Sequence, residues 1–178
     1  MTARYAVNTS KALEMILWFA NERPGIDIYH VVKGAFYADK FHLNEFGRPI
    51  AGDDYMADQY GPLGDVIYGL LRRDPLEILA LGGNGELPFT IEGVFQVRAQ
   101  REPNLRRLSS SEVQALRVGL DFVADKSFDE LVAISHQEPA YIAAQGGRME
   151  YEKLLDPSDP RRKEKAEFLG ETAPSSAL

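Results

Sequence analysis

His30, His42 and His136 are the only histidines, so acid-base or metal chemistry would have to draw on them together with carboxylates. Their spacing assembles no such set. His30 and His42 stand twelve residues apart, about three and a third helical turns, which separates them by more than ligand distance. His136-Gln137-Glu138 has no second histidine nearby. A hydrolase built on His136 and Glu138 is the enzymatic alternative, and it requires both side chains to converge on a concave pocket. Asp53 and Asp54 adjoin each other in a Pro/Gly-rich stretch, which reads as a solvated turn because no partner acid lies at a defined distance. Gly82-Gly83-Asn84-Gly85 lacks the Gly-Lys-Ser/Thr ending of a phosphate loop and reads as a turn. The absence of cysteine removes thiol nucleophiles, iron-sulfur clusters, thiolate zinc sites and disulfide scaffolds. These residues lead us to expect no catalytic set, no metal and no cofactor.

Composition is that of a soluble globular chain: 44% hydrophobic and 26% charged over 178 residues, enough to bury a core without covalent staples. A formal charge of −7 repels phosphate backbones, so direct nucleic-acid binding is not expected, and it suits a basic protein partner. Met1 to Asn8 lacks the pattern of a signal peptide and no run reaches membrane-spanning length, so the expectation is a cytoplasmic protein with no membrane partner.

The elements that must position any site are mainly helical. After Ser10, Leu13, Ile16, Leu17 and Ala20 follow helical spacing, and Met15, Trp18 and Phe19 extend the apolar surface around the helix. Asp27 caps a second helix running to about Phe46, with Gly47 as its stop and Gly34 as a point of close approach. Its outer face, read as Lys33, Asp39, Lys40 and Asn44, is too mixed for a DNA-reading helix. Tyr55 and Ala57 suggest a short extended segment. Pro62 suits the first position of a helix carrying Leu63, Val66, Ile67, Leu70 and Leu71. Phe89 to Ala99 alternates with period two about Glu92-Gly93, as a small hairpin does. Ser109 with Glu112, and Ser127 with Glu130, are capping boxes for two further helices, the second stopping near Glu138 before Pro139. Residues 149–155 suit one more short helix. The expectation is a mainly α (α+β) fold of five to six helices with one small β-hairpin or sheet, a single domain over 1–156, and a polar tail over 157–178.

One ordered run is more specific than any of its pieces: Tyr29-His-Val-Val-Lys33, Phe36-Tyr37-Ala-Asp-Lys40, His42-Leu43, Phe46-Gly47-Arg-Pro49-Ile50, Asp53, Tyr55, Tyr60-Gly61-Pro62 and Tyr68. It resembles the Panacea antitoxin domain, also called SocA-like and related to the phage-associated GepA proteins. The Ser109 to Leu120 helix and Leu131 with Ser135-His136-Gln137-Glu138-Pro139 are similar to that family's C-terminal half, and the likeness covers most of residues 10 to 155. The family pattern often carries an aromatic, usually Trp, after that proline, whereas here Ala140 precedes Tyr141.

The resemblance implies a bacterial or prophage antitoxin that neutralises a cognate protein toxin by direct contact, in one family mode as an adaptor presenting the toxin to an ATP-dependent protease. Such a role needs a surface and no catalysis. The residues expected on that surface are Lys33, Tyr37, Lys40, Asp53 and Tyr55, since long amphipathic side chains suit interfaces. Tyr60-Gly61-Pro62 is expected to be structural, with Gly61 at positive φ, Pro62 starting a helix, and Tyr60 beside Lys33 and Tyr37. The non-enzymatic alternative is a transcriptional regulator, for which the chain lacks a separate basic segment.

Overall fold

Helix α1 (Thr9–Glu22) is buried from Ala12 to Ala20, so an all-round apolar helix sits at the centre of the fold. The structure is a computed structural model that describes residues 3–173. The cap of α1 is Asn8, whose side chain accepts from the Lys11 amide, two residues before the expected Ser10. Helix α2 (Ile28–Phe46) starts at Asp27 and ends at Gly47 with φ 75°, as its capping residues dictate. It packs along α5 (Ser110–Val123), where Gly119 sits against the Gly34 carbonyl and Ala38; the Phe19 ring fills the space beside Gly34. A side chain at either glycine would push the packed surfaces apart.

Between those helices the chain forms strands β1 (Tyr55–Asp58) and β2 (Gly61–Gly64), antiparallel with Tyr55 opposite Gly64, and then α3 (Asp65–Leu71) and α4 (Pro75–Leu81). Pro62 therefore lies in β2, and the helix begins three residues later than expected. Gly61, at φ 99°, turns the chain into the hairpin first, and pairing with β1 holds Gly61–Gly64 extended. Strands β3 (Phe89–Glu92) and β4 (Gln96–Ala99) make the expected hairpin, tied to the α1–α2 connection by Ile28 N donating to Phe95 O and Val97 N donating to Ile26 O.

Both capping boxes are present, opening α5 and α6 (Phe128–Ser135). Pro139 ends one helix and opens the next, α7 (Pro139–Ala144), since proline at a first helical position lacks only a donor with no partner there. A 3₁₀ turn covers Tyr151–Leu154, within the expected 149–155. Helix α8 (Arg162–Thr172) lies in the segment expected as a tail and buries Leu169, with Ala173 buried behind it; residues 174–178 of that segment lie outside the described residues. The fold is mainly α, with eight helices and two small antiparallel sheets among the described residues. Two apolar clusters form its core, one around α1 and the other under α7 and α8.

Candidate functional site

The expected contact set divides once placed in the fold. Lys33, Tyr37, Asp53 and Tyr55 are buried, and only Lys40 reaches solvent, partly, while its ammonium pairs with Glu138 at 2.5 Å. Burial gives these four structural contacts in place of the open surface expected of them. Asp53 is no solvated turn residue. Its carboxylate accepts from Val66 N at 2.9 Å and Ile67 N at 3.0 Å, capping α3 from thirteen and fourteen positions upstream, and burial pushes its pKa up to about 7. Tyr55 donates to Asp39 at 2.6 Å, and Asp39, raised to about 6 by burial, also accepts from Ile50 N. Tyr37 packs against Phe122 with ring centres 4.0 Å apart, and burial, with the charge of Glu138, holds its hydroxyl protonated. The mixed outer face read on α2 shrinks accordingly, because both Lys33 and Asp39 turn inward.

Lys33 leads to a site. Its ammonium donates to Pro62 O at 2.6 Å and lies 5.0 Å from the centre of the Tyr29 ring, at the floor of a groove of about 620 Å³. Burial lowers its pKa to about 7, against the opposing charge of Asp58. The walls come from the first turns of α2, the β1–β2 turn, α3 and the β3–β4 turn, with Phe128 of α6 closing one side. Tyr29 donates to Tyr60 O at 2.9 Å, and its ring lies 4.4 Å from that of Phe128. The Tyr60 ring packs on Phe128 with centres 5.5 Å apart, where a place beside Lys33 and Tyr37 was expected. Deeper in, His30 binds Asp27 at 2.7 Å and Lys126 O at 2.8 Å, and the Asp27 bond raises its pKa.

The rim of this groove is apolar and wet: Val94 is 81% exposed, Phe95 64%, Tyr60 49% and Phe128 43%. Phe95 holds φ 65°, a conformation that a bulky residue adopts only when its surroundings enforce it. The ties between the hairpin and Ile26–Ile28 provide that enforcement. Val94, Phe95 and Phe128 escape a reading by periodicity, which sends alternating or helically spaced apolar residues inward. The signal available was local: two large apolar residues directly after Glu92-Gly93, at the tip of a turn.

His136 and Glu138 engage different partners. The His136 ring stacks on Tyr141 with centres 4.7 Å apart, and its Nε2 hydrogen-bonds to Gln59 O, while Glu138 is held by Lys40. Ala140 is buried in the second apolar cluster. Among the described residues no group of three His, Asp or Glu is placed to hold a metal ion, and no helix is long and apolar enough to cross a membrane.

No curated protein and no solved structure matches the chain. A family model described as "Antitoxin SocA-like, Panacea domain" matches residues 31–141, a span that holds Lys33, the β1–β2 turn with Tyr60, both tip residues of the second hairpin and Phe128. That match covers more than half of the chain, so it belongs to the SocA-like antitoxin family of Panacea-domain proteins.

Proposed function

We propose that this protein is a cytoplasmic antitoxin that neutralises a cognate protein toxin by direct contact through the groove rim. One observation carries the reading. Four large apolar side chains from three separate elements, Tyr60, Val94, Phe95 and Phe128, are left in water around one concavity. Clustered exposed apolar groups mark interaction sites, and aromatic anchors dominate their energetics. Delivery of the bound toxin to an ATP-dependent protease is compatible with this surface, since an adaptor needs only a second, separate contact.

The hydrolase reading has less support, because His136 stacks on Tyr141 and bonds the Gln59 carbonyl while Glu138 pairs with Lys40. A DNA-reading role for α2 is weakened by the burial of Lys33 in a chain of charge −7. The test is co-expression with the toxin that co-purifies from the native host. Growth rescued by the parent chain and lost with folded Phe95→Asp supports contact through the rim; equal rescue by both removes the rim from the interface. Toxin half-life, measured with and without the cell's ATP-dependent proteases, separates sequestration from delivery.

A further inference from the structure

The charge around the groove specifies what it accepts. Lys33, at the floor, could draw an acidic group inward, but its ammonium is turned onto the Pro62 carbonyl and desolvated, and Asp58 stands near it; the His30 ring, also in the lining, is already paired with Asp27. With a pKa of about 7 it is only partly charged at neutral pH. Arg72, at the edge, lies over the Tyr68 ring and donates to the Tyr68 hydroxyl. Two nearby carboxylates are already engaged: Asp27 by His30, and Glu130 by the Ser127 cap. Three are exposed: Asp58, which lines the groove, and Asp125 and Asp129, three residues before and one residue after the rim residue Phe128 in the chain. Of these, only Asp125 has an ion-pair partner among the described residues, the adjacent Lys126 at 3.2 Å. A buried floor of low charge, with Asp58 exposed at its edge and Asp125 and Asp129 exposed near Phe128 in the chain, fits an occupant that is apolar at its centre and cationic at its edges.

We propose that the groove docks a basic segment of a partner protein, with apolar side chains entering between Tyr29, Tyr60, Phe95 and Phe128 and lysines or arginines meeting Asp58, Asp125 and Asp129. This rests on the antitoxin reading for the identity of the partner as the toxin, and adds the chemistry of the toxin surface that is bound. The net charge of −7 steers such a segment toward the protein, and the apolar rim determines how long it stays.

Fluorescence anisotropy on the full chain tests this with three labelled peptides of equal length: phenylalanine with lysine, phenylalanine with glutamate, and serine with lysine. The first should bind at least about tenfold more tightly than either other. Phe95→Asp and, as a second variant on the same exposed turn, Val94→Asp should each weaken it by about tenfold or more. The triple change Asp58→Asn, Asp125→Asn, Asp129→Asn should weaken it several-fold and flatten its salt dependence. Equal or tighter binding of the glutamate peptide would overturn the proposal in favour of an anionic occupant at Lys33 and Arg72. Equal binding of the serine peptide would reduce it to general electrostatic attraction. A dimer in sedimentation that Phe95→Asp dissolves would assign the groove to a second copy of this chain. If the peptide ranking fails while the parent still protects cells from toxin, the groove chemistry is wrong and the antitoxin reading stands. If the ranking holds and the parent gives no protection, the reverse follows.

Discussion

Lys33 and Gly61 meet so closely that a β-carbon on Gly61 would stand 3.0 Å from the Lys33 ammonium and collide with the Ser135 hydroxyl. Helix α2, the β1–β2 turn and α6 thus converge on one backbone position with φ 99°. Gly61→Ala combines a disfavoured backbone with overlap against a buried side chain. It should lower stability by at least about 2 kcal/mol, or roughly 4–8 °C in melting temperature for a chain of this size. Adding Ser135→Ala should recover part of the loss by removing the hydroxyl, and thermal denaturation of the single and double variants checks both steps.

Lys33 also predicts a pH dependence. Its folded pKa of about 7 lies below the ordinary 10.5, so the stability it contributes is fully present above pH 10.5 and is lost as pH falls through 7. The parent should therefore gain stability between pH 7 and 10, with a slope of up to about 1.4 kcal/mol per pH unit, that of a single proton. Asp39 and Asp53, raised to about 6 and about 7, act in the opposite sense and chiefly below this window, their stability being lost as pH rises from 4 to 7. Lys33→Met should flatten the rise between pH 7 and 10 in denaturant titrations. A rise of unchanged slope in that variant would assign it to another group.

Helix α8 gives a prediction about the C-terminal segment. Leu169 is fully buried among residues that include Leu43, Leu154 and Leu155. Leu169→Ala should cost about 2–3 kcal/mol by leaving a cavity, which chemical denaturation would read directly. A loosely attached tail would give no change.

His136→Ala with Glu138→Ala removes a stack on Tyr141 and a partly exposed ion pair with Lys40. The expected loss is about 1–2 kcal/mol, because pairs open to solvent contribute little. Growth rescue against the toxin should be retained by the folded double variant. Loss of rescue with toxin binding intact would restore the hydrolase reading.

Local signals placed the elements whose ends are written in neighbouring residues. Asp27 and Gly47 bound α2, Ser109 with Glu112 and Ser127 with Glu130 open α5 and α6, and Phe89 to Ala99 forms its hairpin. Where the deciding contact is distant, the pattern misled. The start of α3 is set by Asp53, and Pro62 is held in β2 by strand pairing. Helix α4 has a proline start capped by Asp74 but leaves Leu76 and Leu79 in water, so it shows no buried stripe to read. In α8 only Leu169 is buried. The surroundings of the candidate site are hard to read for the same reason. Charged side chains are read as surface, yet Lys33, Asp39 and Asp53 find partners on β2, at Ile50 and at the head of α3. Aromatic residues are read as core, yet Phe95 and Phe128 stay outside.

The most direct measurement is titration calorimetry of the co-purified toxin against the parent, Phe95→Asp, and Leu79→Asp as an exposed apolar position away from the groove. Phe95→Asp should weaken the dissociation constant by at least about thirtyfold, the ~2 kcal/mol of an aromatic anchor, with Leu79→Asp binding like the parent. Parent-like affinity in folded Phe95→Asp would contradict toxin binding through the groove rim.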